Sequence, residues 1–114
     1  MRTQAMSRAE LKAKLDGKER FHLWNVLSAE SYRPEANIPG SAWVPLAALT
    51  ERFLAHLVPG KGETIVVYCG GPACPSSKQA AAKLQSLGYT DVFAYEGGLS
   101  DWSENGLPLV KAAG

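Results

Sequence analysis

The densest chemistry in this chain lies in one short stretch, Cys69-Gly70-Gly71-Pro72-Ala73-Cys74-Pro75-Ser76-Ser77. Two glycines directly behind a cysteine let the backbone take up unusual dihedrals and curl over the sulfur. Pro75 suits the first position of a helix, where its missing N–H is not needed, which leaves Cys74 near the N-cap. Loop amides and the positive helix end then face a common hollow, an anion site. A thiol in such a hollow is expected to have a lowered pKa, and the thiolate is the nucleophile. The alternative on position alone is a cysteine that packs at a strand end as a small hydrophobe.

These are the two cysteines of a 114-residue chain. Two thiols cannot complete a four-ligand zinc site, and a disulfide scaffold usually carries more. The histidines, His22 and His56, are far from both in sequence. Twelve basic residues against eleven acidic ones give a formal charge of +1, which argues against a nucleic-acid partner gripped through its phosphates. The 46% hydrophobic and 20% charged fractions are those of an ordinary globular protein, and a single domain over residues 1–114 is expected, with its core at about 8–110. No apolar run approaches the length of a membrane span, and Met1 to Ala9 lacks the apolar stretch of a secretory signal. A cytoplasmic location, in which thiols stay reduced, is the expectation.

Several elements must hold that loop. Ser7 and Glu10 form a capping box and Met6 with Leu11 a hydrophobic staple, opening a helix that runs to about Leu15. Phe21–Val26 reads as a buried strand, Ser28–Tyr32 as one helical turn, and Ala42–Val44 as a short strand. Leu46 to Leu57 has helical spacing, with Leu46, Leu49, Phe53 and Leu57 on one face. Thr64–Cys69 is apolar without alternation, as a strand covered on both faces must be. A helix from about Ser76 to Leu87 turns Ala80, Ala81, Leu84 and Leu87 inward and stops at Gly88. Asp91–Tyr95 is the last strand and Leu99–Asn105 the last helix. Strands alternating with helices predict an open parallel α/β sheet with helices on both faces, whose ligands bind beyond the carboxyl ends of the central strands. Cys69 ends the strongest candidate for such a strand.

The chain resembles single-domain rhodaneses over roughly residues 8–110. Val66-Val67-Tyr68-Cys69, the glycine-bearing loop and the Ala-rich helix behind it are similar to the family's active-site segment. Gly88-Tyr89-Thr90-Asp91-Val92 is similar to its helix-to-strand turn. Glu96-Gly97-Gly98-Leu99 to Trp102, Gly106-Leu107-Pro108 and Ile38-Pro39-Gly40-Ser41-Ala42 match further family segments in the right order. The resemblance implies a rhodanese-like five-stranded parallel sheet and a sulfurtransferase in which the Cys69 thiolate takes the outer sulfur of thiosulfate or another persulfide-type donor. It implies that Gly70, Gly71, Pro72, Ala73, Cys74, Pro75 and Ser76 form the substrate-binding loop, whose non-proline N–H groups surround the persulfide. A thiol, or cyanide in an assay, accepts the sulfur, and neither metal nor organic cofactor is needed. Nothing in the chain names the physiological donor, the acceptor or an oligomeric state.

Departures from the family pattern gather at the site. Cys74 stands where rhodaneses commonly end the loop with arginine, so the nearest cation in sequence is Lys78. The usual Asp-Val-Arg appears as Asn25-Val26-Leu27, which reads as deletion of a structural ion pair, and Gly-His-Ile-Pro-Gly as Ala36-Asn37-Ile38-Pro39-Gly40. A slower or differently selective enzyme is expected, because an anionic donor loses a cationic partner. A cysteine phosphatase is excluded, since it needs a loop arginine to grip phosphate bidentately. Cys74 reads either as a resolving thiol that forms a Cys69–Cys74 disulfide or as a small polar cap; a soft-metal pair lacks a third ligand. Two other classes therefore stand beside the transferase: a non-catalytic binding module and a disulfide-forming sulfur reductase. Ser76 and Ser77 read as anion donors or ordinary first-turn serines, and Glu96 as orienting the Gly97-Gly98 turn. His22, His56 and Lys78 read as structural or solvated. Trp24, Trp43 and Trp102 read as core, with Trp43 the one able to border the pocket.

Overall fold

The computed structural model describes residues 4–111. The ends of the expected 1–114 domain, including Met1 to Thr3 of the leading stretch, lie outside the described residues. Nine elements follow in order: β1 (Gln4–Ala5), α1 (Arg8–Asp16), β2 (His22–Asn25), β3 (Ala42–Trp43), α2 (Glu51–Leu57), β4 (Ile65–Tyr68), α3 (Ser76–Ser86), β5 (Val92–Tyr95) and α4 (Gly98–Glu104), with a 3₁₀ turn at Leu46–Ala48 before α2. The strands form one sheet in the order β1-β5-β4-β2-β3, and every pairing is parallel. β4 is the central strand.

Alternation along β4 explains its continuous apolar sequence. Ile65, Val67 and Cys69 pack with Leu54 of α2 and Ala80, Ala81 and Leu84 of α3. Val66 and Tyr68 point the other way, into a cluster with Leu11 of α1 and Trp102 of α4. All four β4 side chains have no solvent exposure, a burial worth about 2 kcal/mol for each aliphatic one. Among the described residues, no helix is long and apolar enough to cross a membrane.

Local signals hold where they are strong. Ser7 accepts from the Glu10 N–H while the Glu10 carboxylate accepts from the Ser7 N–H, and Met6 and Leu11 share one cluster. Two expectations change. The span Leu46–Leu57 is not one helix: Thr50 caps a fresh start by accepting from the Phe53 N–H. The break shifts the helical phase, so Leu54 and Val58 are buried while Phe53 and Leu57 are exposed. Pro75 caps α3 rather than beginning it, although its backbone is already right-handed helical (φ −82°, ψ −7°). β1 has no counterpart in the pattern reading. Two exposed residues leave no periodicity, and β1 exists because its backbone pairs with the β5 edge.

Candidate functional site

Cys69 follows β4 directly, at the carboxyl edge of the sheet. The loop behind it makes a tight turn in which the Cys74 N–H donates to Gly71 O (3.0 Å). Pro72 occupies the second position of that turn, where its fixed φ is an advantage. The turn brings the Cys74 carbonyl to 3.4 Å from the Cys69 sulfur, whose S–H points at it. Cys69 is fully buried, Cys74 half-buried, and neither is in a disulfide.

The loop glycines act by close approach rather than by unusual dihedrals. Neither Gly70 nor Gly71 has a positive φ. A Cβ on Gly71 would lie 2.5 Å from the Ser100 hydroxyl, whereas one on Gly70 would meet nothing within 4 Å. The residue with the tightest requirement is Gly98, at φ +61°, where a Cβ would collide with Cys69 O and lie 2.8 Å from Gly71 N. Through that contact the first turn of α4 grips the loop: the Leu99 N–H donates to Cys69 O (3.0 Å) and the Ser100 N–H to Gly70 O (2.9 Å). The sequence marked this segment only as a motif; what it does is hold two carbonyls of the cysteine loop.

Ser77 is the other residue whose role emerges here. Its hydroxyl is completely buried and has no hydrogen-bond partner of ordinary length. Both that hydroxyl and the Ser77 N–H act on the Cys69 sulfur, favouring its thiolate. A buried orphan hydroxyl is costly unless another state of the site uses it. An anion on Cys69 is such a state.

The two thiols interact directly, and the outcome differs from the expectation of a lowered Cys69. Burial pushes the Cys69 thiol up, its hydrogen bond with the Cys74 thiol pushes it further, and Ser77 only partly opposes this. Burial also raises Cys74, but hydrogen bonds from the Cys69 thiol, the Ser76 hydroxyl and N–H and the Gly70 N–H outweigh it. Cys74 ends below the ordinary thiol value. The pair therefore first loses its proton at Cys74, whose anion the neighbouring Cys69 thiol favours.

Cationic help is scarce. Lys78 is not simply solvated: it pairs with Glu96 at 3.2 Å, and both side chains are exposed. Glu96 thus neutralises the cation nearest the loop in sequence. The departures at Asn25 and Asn37 prove to be one compensated change. Asn25 Nδ2 donates to Asn37 Oδ1 (3.1 Å) and Asn25 Oδ1 accepts from the Leu27 N–H (3.0 Å), all buried. Two neutral amides thus satisfy each other at the two departing positions, 25 and 37.

Beside the loop lies an apolar recess of about 440 Å³, lined by Val26, Ser28, Ala29, Trp43, Pro45, Leu46, Ala47 and Ser76. Trp43 stacks flat on Tyr32 (4.2 Å between centroids) and donates from Nε1 to Leu27 O (2.7 Å), which fixes it as a wall. Trp24 and Trp102 are core. A larger cleft of about 540 Å³ lies at the amino ends of the strands around His22 and Glu63 and includes no thiol. His22 pairs there with Glu63 (3.0 Å), and His56 is exposed on α2.

Comparison with known proteins agrees with this arrangement. The rhodanese-like domain model matches residues 7–105. The chain is 39% identical over 90 residues to thiosulfate sulfurtransferase PspE of Escherichia coli K12, covering 79% of each chain. Its fold superposes on the BH2092 protein of Bacillus halodurans with a TM-score of 0.82 at 29% identity, over 96% of this chain and 77% of that one. An Escherichia coli rhodanese solved with anions gives a TM-score of 0.63 at 32% identity, over 82% of this chain and all (100%) of the other. With a cysteine at the carboxyl end of the central strand, seated over the start of α3 and clamped by the Glu-Gly-Gly turn, the chain belongs to the rhodanese-like domain family.

Proposed function

We propose that this protein is a rhodanese-type sulfurtransferase that carries a sulfane sulfur as a persulfide on Cys69. The observation that carries the reading is the buried, unpartnered Ser77 hydroxyl and its N–H facing the Cys69 sulfur. Both donors are held in place by the first turn of α3, and both favour a charged sulfur. In the first step Cys69 gives its proton to solvent. The Cys69 thiolate attacks the outer sulfur of thiosulfate, the S–S bond breaks, and sulfite leaves with the electron pair. A thiol or cyanide then attacks the outer persulfide sulfur and returns Cys69 as thiolate.

The donor site is open where a Cβ on Gly70 would meet nothing within 4 Å, and it has little positive charge because Lys78 is paired with Glu96. Attraction of thiosulfate therefore rests on backbone dipoles, and uptake from it is slow. The apolar recess beside Ser76 suits a donor or acceptor whose sulfur is attached to an uncharged organic body. A cytoplasmic setting, which keeps both thiols reduced, is part of this reading.

Intact mass after incubation with thiosulfate and, separately, with an organic persulfide tests the proposal. A gain of one sulfur, about 32 Da, that is lost in Cys69→Ser is expected in a variant lacking Cys74. No gain from any sulfane donor sinks the transferase reading and leaves a binding module.

A further inference from the structure

The second thiol gives the site a further activity. Cys74 is not a distant surface thiol. The turn from Gly71 folds its carbonyl to 3.4 Å from the Cys69 sulfur, and each thiol shifts the ionisation of the other. A disulfide needs its Cα atoms within about 7 Å and its Cβ atoms facing. The 3.4 Å contact of the Cys69 sulfur with the Cys74 main chain brings the two residues together within one loop. No bond between protein atoms holds the Cys74 thiol away from Cys69; its other partners are Ser76 and the Gly70 N–H, in the same loop.

Resting on the persulfide reading above, we propose that Cys74 resolves the Cys69 persulfide, so that the protein reduces sulfane sulfur to hydrosulfide. The Cys74 proton passes to the outer sulfur of the persulfide, and the Cys74 thiolate so formed attacks the inner sulfur, Sγ of Cys69. The Cys69–Cys74 S–S bond forms, the bond from Sγ to the outer sulfur breaks, and HS⁻ leaves with the electron pair. Two thiols are oxidised to one disulfide while the sulfane sulfur gains two electrons. With thiosulfate as donor the balance is one thiosulfate and two protein thiols giving sulfite, hydrogen sulfide and the protein disulfide. A dithiol reductant then restores both thiols by exchange.

Three features of the site fit this step. The attacking thiol is the one whose surroundings favour its anion, and it lies in the same loop, so no domain movement is needed. The loop is open on the Gly70 side, where an added Cβ would meet nothing within 4 Å, which leaves HS⁻ a way out. Replacing an arginine with a cysteine exchanges a donor-capturing cation for a second nucleophile, which suits a site that discharges sulfur by itself.

The test uses the full reduced chain, freed of small thiols under nitrogen, with excess thiosulfate. Thiosulfate is the probe because its own leaving group is sulfite, so any hydrosulfide comes from the second step. Wild type is expected to release about one equivalent of hydrosulfide without added thiol and to end about 2 Da lighter, as the disulfide. Cys74→Ser and Cys74→Ala are expected to keep an adduct of about 32 Da and release hydrosulfide only when a dithiol is added. Two variants guard against one that fails to fold, with thermal unfolding as the check. A wild type that keeps the adduct and releases no hydrosulfide overturns this inference alone. If no protein takes up sulfur, the transferase reading falls and this step falls with it.

Discussion

Gly98 offers the sharpest perturbation, because three glycines of this chain separate backbone strain from collision. Gly98→Ala places a side chain at φ +61°, which costs about 1 kcal/mol in the left-handed region. It also sets the Cβ into Cys69 O, 2.8 Å from Gly71 N and 3.0 Å from Gly70 C. These are backbone atoms, so relief requires the first turn of α4 to lift off the loop. Lifting breaks the bonds from Leu99 N–H to Cys69 O and Ser100 N–H to Gly70 O, at about 1 kcal/mol each. The expected destabilisation is about 3 kcal/mol or more. Gly106→Ala meets the strain alone, since its φ is +77° and nothing lies within 4 Å; its cost is about 1 kcal/mol. Gly62→Ala meets neither and stays within about 0.5 kcal/mol of wild type.

Thermal unfolding distinguishes the three at about 4 °C per kcal/mol for a chain of this size. Gly62→Ala should melt with wild type, Gly106→Ala about 4 °C lower and Gly98→Ala about 12 °C lower. Persulfide uptake adds a second readout. The Gly98 variant loses the clamp on the cysteine loop, and uptake below its melting range should fall about tenfold or more, since small misplacements of reacting groups are costly. Gly98→Ala melting beside Gly106→Ala, with normal uptake, would refute the claim that the glycine exists for its contact with the loop.

Three further outcomes follow from the site. Ser77→Ala removes a buried hydroxyl that has no partner in the resting thiol state, so stability should hold or rise by up to about 1 kcal/mol while sulfur uptake slows about tenfold. Because Ser77 favours the Cys69 thiolate, the pH profile of uptake should move to higher pH in that variant, as stopped-flow measurements will read. Asn25→Asp turns a buried carboxylate toward the Asn37 carbonyl oxygen and should cost about 2–4 kcal/mol at neutral pH. Adding Asn37→His should recover part of that loss in a double-mutant cycle of denaturant unfolding, and no recovery would break the claimed pairing. Alkylation followed residue by residue against pH should modify Cys74 before Cys69, since Cys74 lies below the ordinary thiol value and Cys69 above it. In Cys69→Ala the Cys74 profile should shift upward in pH, because a donor to its thiolate is gone; an unmoved profile contradicts the shared hydrogen bond.

Much of the frame was legible in residue order. The apolar run of β4, the capping box at Ser7 and Glu10 and the Ala-rich face of α3 are local signals; burial reinforces the first and last, and the capping box satisfies backbone donors within its own turn. The span Leu46–Leu57 was misread because a helix can restart in a new phase wherever a Thr caps it, and periodicity alone does not register the break. β1 was invisible because its two residues gain order only from the β5 edge.

The sequence by itself determined that a cysteine leaves a central strand into a glycine-rich loop before a helix, and so which atom the proposed transfer takes as its nucleophile. Only the tertiary structure decided how that atom is held and charged. Gly98 reaches Cys69 from a separate segment, Asn25 finds Asn37, Glu96 takes Lys78, and the buried Ser77 hydroxyl turns to the sulfur. The order in which the two thiols ionise is likewise a tertiary outcome. Desolvation and hydrogen bonding set a pKa, and both depend on which groups surround the sulfur in space, not on which residues stand beside it in the chain.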